Sequence, residues 1–172
     1  MKRTFLVMAA VLATIVASQV PAAAAPAGVL ASYEGRMIDL SHSWEGAQVC
    51  TEFAIGDVRC FSNEQAASAA MGDFGVSAAE DCKNTWVCLW ADADHKGRKL
   101  QWNAAGSKKL ADWGFRDQAS SAALHRIQGG AELVNYRGPL WPDQRSFLRA
   151  GGIYSDFRSF DFNDKADEIK VG

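Results

Sequence analysis

Beyond residue 25 the sequence has no apolar run long enough to cross a bilayer and no C-terminal anchor signal. A product released from the cell rather than held in a membrane is therefore expected. Clusters of basic residues are missing too: 18 Lys and Arg stand scattered against 20 Asp and Glu, which argues against nucleic acid or an anionic membrane as partner. Histidine is scarce. His42, His95 and His125 are the only imidazoles and lie far apart, and no His-Glu-x-x-His, Gly-x-Ser-x-Gly or phosphate-cradling glycine loop occurs. The familiar metalloprotease, serine-hydrolase and nucleotide-hydrolase centres are thus excluded, and the expectation is a protein that is not an enzyme.

Residues 1–25 read as an export signal: a charged start at Lys2 and Arg3, an apolar run from Phe5 to Val16, and small residues from Pro21 to Ala27. The run is too short to span a membrane. Four cysteines, Cys50, Cys60, Cys82 and Cys88, fall in the remaining chain, and an even count in an exported protein reads as two disulfides. Three pairings are open; Cys50–Cys60 and Cys82–Cys88 are favoured because each pair flanks a strand reversal that can bring the two Cα atoms together. A zinc site is the competing reading, but no pair has Cys-x-x-Cys spacing and the compartment is oxidising.

Two composition regimes follow. In residues 26–81, Val49–Phe53 and Val58–Phe61 suit strands around a Gly56-Asp57 turn, and Ser62 with Gln65 resembles a capping box opening a helix that Gly72 stops. This predicts a small disulfide-closed α+β subdomain. In residues 82–172 the helix signal disappears, and short strand-like runs at 86–90, 98–102, 122–127, 132–136, 153–154 and 167–171 alternate with glycine-marked turns. A mainly β sandwich is expected there. Trp86, Trp90 and Trp102 share an even spacing that predicts one common face.

The second region also contains a weak duplication of about forty residues. Trp90 followed by His95-Lys96-Gly97 and, later, Asp117-Gln118-Ala119-Ser120-Ser121 has its counterpart in Tyr136-Arg137-Gly138 and Asn163-Asp164-Lys165-Ala166-Asp167. These residues resemble the βγ-crystallin Greek-key motif, with its aromatic corner early and its Asn/Asp-rich loop late. More narrowly, Cys82 to Trp90 with Asp92–Arg98 and Ser120-Ser121 resembles the secreted bacterial peptidase inhibitors of crystallin-like fold. The resemblance implies a βγ-crystallin-like sandwich of two repeats and an inhibitor whose partner is an extracellular protease, plausibly a metalloprotease. Family members commonly carry a disulfide in the second repeat, whereas no cysteine follows Cys88 here.

Two segments are candidates for protease contact: the turn Pro139–Asp143, where Trp141 stands between two prolines, and the tip carrying Asp92 and Asp94. The tip resembles the start of an EF-hand, but Lys96 takes an acidic slot, so it reads as a solvated hairpin. In calcium-binding domains of this fold, each site joins the acidic start of one late loop to the hydroxyl slot of the other. Asn163 and Asp164 with Ser120 retain that combination and form one candidate calcium site. The other combination sets Arg116 against Asp167, predicting an ion pair in place of an ion. No cofactor is required by this reading. Two other functions remain open, a glycan- or cell-wall-binding module and a calcium-stabilised structural protein.

Overall fold

The computed structural model describes residues 28–72, 82–126 and 128–172. The export signal and its cleavage region lie outside the described residues. Four strands come first: β1 (Leu30–Tyr33), β2 (Arg36–Asp39), β3 (Val49–Ala54) and β4 (Asp57–Phe61), followed by helix α1 (Glu64–Ala70). Eight more follow: β5 (Val87–Asp92), β6 (Lys96–Trp102), β7 (Gly106–Lys109), β8 (Ser121–Leu124), β9 (Gly130–Asn135), β10 (Gln144–Arg149), β11 (Ile153–Tyr154) and β12 (Glu168–Val171).

The strands form an eight-stranded sheet, β11-β8-β5-β6-β3-β4-β1-β2, and a four-stranded sheet, β10-β9-β12-β7. Strands β5–β8 and β9–β12 are two four-stranded Greek keys that exchange their third strands. Strand β7 pairs with β12 of the second key, and β11 pairs with β8 of the first. The fold is mainly β, a βγ-crystallin-like sandwich. Its interior is closed by Leu89, Leu100, Trp102, Leu110, Phe115, Leu133, Leu148, Phe157, Phe162 and Ile169, each at most 1% exposed.

The first four strands extend that sandwich along the free edge of β6. Strand β3 pairs in parallel with β6, from Val49↔Lys99 to Glu52↔Trp102, and Tyr33, Ile38, Leu40 and Trp44 join the same core. The expected hairpin and helix are present in this segment, together with a second hairpin, β1–β2, that the sequence reading placed no strands on. Cys50 and Cys60 are direct cross-strand partners and are bonded, and Cys82 is bonded to Cys88.

Two details differ from expectation. The helix is capped by Asn63, not Ser62: Asn63 takes the extended conformation, and its side-chain oxygen accepts the Ala66 N–H at 2.9 Å. An amide one residue later satisfies the same orphan donor. The three tryptophans do not share a face either. Trp102 points into the main core, whereas Trp86 and Trp90 pack with Cys82, Cys88 and Ala123 on the other side of the sheet, beneath Phe53 and Met71. A bulge between Trp90 and Asp92 shifts the register, so the alternation of β5 is not carried into β6.

Candidate functional site

The two Greek keys offer equivalent corners, and the chain builds them differently. In the first, β5 and β6 are joined by a tight three-residue turn, Ala93 to His95, in which Asp94 and His95 both have positive φ, 58° and 57°. The turn is fastened to the sandwich. Asp94 N–H donates to the Ser155 carbonyl at 2.7 Å, His95 N–H donates to Ser121 Oγ at 3.1 Å, and the His95 ring meets Trp90 edge-on at 4.9 Å. Histidine thus serves as the corner aromatic. Gly97 is obligatory, with φ +75° and a would-be Cβ 2.4 Å from Asp92 Oδ2. Asp92 and Asp94 are exposed, but on a tip folded back upon the body.

In the second key the same connection is a longer loop, residues 136–143, and every residue from Tyr136 to Pro142 is exposed. Leu140 is 86% and Trp141 66% exposed. Gly138, at φ +79°, starts the turn, and Pro139 and Pro142 restrict the backbone around the two apolar side chains. Asp143 is partly buried and pairs with Arg145 at 3.6 Å. Leu140 and, on the strand that follows, Phe147 at 64% exposure are the large apolar residues that sequence reading passed over. The signal for Phe147 is weak: Gln144–Arg149 contains one strongly apolar pair inside a polar run and does not read as a strand.

The late loops interlock reciprocally. Asp117 N–H donates to the Ala166 carbonyl at 3.0 Å, and Asp164 N–H donates to Ala119 at 3.1 Å. Ser120 Oγ donates to Asp164 Oδ1 at 3.1 Å and Asn163 Nδ2 to Asp164 Oδ2 at 2.5 Å, so these three residues meet. At the other junction Arg116 Nε forms an ion pair with the buried Asp167 Oδ1, and Tyr136 N–H donates to Oδ2 at 2.6 Å. Burial, with the Asp167 carboxylate nearby, pushes the Asp117 carboxyl above its usual range. Among the described residues, no three His, Cys, Asp or Glu are grouped to hold a metal. Calcium requires six to eight oxygens. The Ser120 junction supplies one carboxylate, one hydroxyl and one amide, whereas a guanidinium stands at the Asp167 junction and does not fit a cation.

Beside the second corner, Glu168 is buried at 4% exposure and accepts hydrogen bonds from Ser107 Oγ and Tyr136 Oη. Burial alone would raise its carboxyl, but the two hydrogen bonds and nearby lysines outweigh it and hold the group below 4.5. The same bond, aided by burial, pushes Tyr136 up to about 12. Tyr136 therefore releases its proton more readily in the unfolded chain, near 10.0, so its contribution to stability is whole below that pH and fades as pH rises toward 12. The Glu168 contribution is present above 4.5 and fades as pH falls through the lowered folded value. Tyr136→Phe should cost about 1 kcal/mol at pH 7 and flatten this alkaline loss. Urea unfolding at pH 7 and pH 11 checks it; equal losses in parent and variant would dissociate Tyr136 from the alkaline limb.

With this geometry in view, comparison with known proteins is informative. The model of peptidase inhibitor family I36 matches residues 76–125, less than a third of the chain and largely the first Greek key. The matched family is one of peptidase inhibitors, and the similarity is confined to that segment. Among solved structures, the chain is similar to a βγ-crystallin from Ciona intestinalis, at 23% identity over 51% of this chain and 99% of that one, with a TM-score of 0.37. It is also similar to a βγ-crystallin domain from Flavobacterium johnsoniae, at 20% identity over 50% and 92%, TM-score 0.36. The N-terminal domain of protein S is similar at 13% identity over 51% and 94%, TM-score 0.38. No curated protein matches the chain.

Proposed function

We propose that this protein is secreted and inhibits an extracellular metalloprotease, docking through the Pro139–Asp143 loop. The carrying observation is the asymmetry between the two corners: the first is fastened down by His95 and Ser121, while the second holds Leu140 and Trp141 out in water between two prolines. A stiff loop with an apolar anchor loses little entropy on binding. Two disulfides are compatible with an extracellular compartment, and no described helix is long and apolar enough to cross a membrane. The glycan-binding alternative is the weaker reading, because five of the six tryptophans are buried and Trp141 alone can offer an indole face. The deciding experiment titrates secreted metallo- and serine proteases with the purified mature protein. Stoichiometric loss of metalloprotease activity supports the proposal; loss confined to serine proteases, or none with the folded protein intact, overturns it.

Calcium is proposed to play at most a minor part, at the Ser120, Asn163 and Asp164 junction. For a Kd of about 1 mM, calcium at about 1 mM adds only ~0.4 kcal/mol, or roughly 1 °C in Tm. Calorimetric titration showing two equivalent ions would contradict the role given to Arg116.

A further inference from the structure

The outward face of the four-stranded sheet is a second surface with a definite chemistry. Its orientation follows from register. Ala131, Leu133, Leu148, Ile169 and Val171 enter the core, and Lys108 reaches inward to Glu52 of the opposite sheet. Their neighbours along each strand therefore face out. Two cross-strand rows result: Lys109, Glu168, Val134 and Arg145, then Ser107, Lys170, Glu132 and Phe147, with Arg149 beyond them opposite Gly130.

This face is basic on an acidic chain. Lys109, Lys170, Arg145 and Arg149 outnumber Glu132 and Glu168 by two, whereas the whole chain has a formal net charge of −2. Glu168 is buried beneath its bonds to Tyr136 and Ser107, while Glu132 pairs with Arg145 at 2.9 Å and lies 3.9 Å from Lys170, and Asp143 lies 3.6 Å from Arg145, so an arriving carboxylate would exchange partners with these pairs. An apolar element lies among the cations. The Phe147 ring lies across Gly130, where a Cβ would come within 2.7 Å of it, yet the residue remains 64% exposed. Covering a strand glycine accounts for where the ring rests and not for its exposed side. Arginine and aromatic residues on one exposed face are the composition of binding hot spots.

The edge of the same sheet is closed at Arg149 by bonds to Tyr154 and Gly152 and unpaired by any other strand before it. Strand β10 is outermost. Arg149 N–H donates to Tyr154 Oη and its carbonyl accepts from Gly152 N–H, so the backbone of Arg149 turns away from β9. Alternate residues of an antiparallel strand turn the same way, which directs the N–H and C=O of Arg145 and Phe147 outward as well.

We infer that β10 and the outer face beside it dock an extended acidic segment of the partner, which adds as a fifth strand along Arg145 and Phe147 with its carboxylates over Arg145 and Arg149. The backbone edge supplies register and the cations supply sign, as in recognition by strand addition. The inference takes from the inhibitor reading only that the partner is a protease. The surface stands on its own geometry.

A blocked peptide of about eight residues alternating Asp and Val is the probe, with a Lys-Val peptide as control. Amide chemical shifts of the intact mature protein should move saturably at Arg145–Arg149, with Kd near ~10⁻⁴ M. The control should not bind, and Arg145→Glu/Arg149→Glu, verified as folded by its melting curve, should weaken the Asp-Val peptide at least about tenfold. Binding should also weaken from ~50 to ~500 mM salt. No saturable binding at ~1 mM peptide, shifts centred elsewhere, or equal binding of the Lys-Val peptide would overturn the inference. Protease inhibition without peptide binding would leave the inhibitor reading standing and defeat this one. Peptide binding with no protease inhibited would do the reverse.

Discussion

Glu52→Ala is expected to cost about 3–5 kcal/mol of stability and about 10 °C in Tm, although Glu52 lies far from either Greek-key corner. Its carboxylate on β3 pairs with Lys108 on β7, and the two side chains are 7% and 9% exposed. The pair thus joins the eight-stranded sheet to the four-stranded one from inside, and removal of either member strands a charge in a dry place. Lys108→Met alone should be similarly damaging. The double variant Glu52→Leu/Lys108→Met should regain most of the loss, since well-packed apolar residues replace buried pairs at little or no net cost. A double-mutant cycle by urea unfolding measures the coupling, expected at about 2–3 kcal/mol. Single variants that lose less than about 1 kcal/mol would show that water reaches the pair.

Trp141→Ala is expected to weaken protease inhibition at least about thirtyfold, equivalent to about 2 kcal/mol, while leaving thermal stability within about 0.5 kcal/mol. The two effects separate because Trp141 is 66% exposed and absent from both apolar clusters. Little of its surface would be re-exposed on unfolding, but a partner could desolvate all of it. Asp92→Asn and Asp94→Asn on the fastened first corner should change inhibition less than threefold, roughly 0.6 kcal/mol. The reverse pattern, with Trp141→Ala neutral and Asp92→Asn damaging, would move the contact to the first corner. Inhibition constants and melting curves on the same preparations decide between them.

Much of the architecture was legible because it is written in local chemistry. Alternation, turn glycines and the paired corner and loop residues marked out most of β5–β12, and the short spacings of Cys50 to Cys60 and Cys82 to Cys88 favoured the bonds found. Strands β1, β2, β7 and β10 were not legible. Each is short or mixed in polarity, and three of them, β2, β7 and β10, lie at sheet edges where one side faces water and alternation is weak. The helix cap was displaced by one residue because Ser62 and Asn63 are both good caps and only the backbone conformation selects between them.

The sequence by itself determined a disulfide-stapled, mainly β chain with two Greek-key repeats, and it placed Trp141 between prolines in a turn. These are properties of neighbouring residues, set by backbone preference, side-chain polarity and short loops. Only the tertiary structure decided that β3 joins β6, that Trp102 faces away from Trp90, that Glu52 finds Lys108 across the sandwich, and that Arg145, Phe147 and Arg149 share an edge strand. Each depends on register between segments distant in the chain. A single bulge or an edge left unpaired reverses which side chains meet water, and no local preference records that choice.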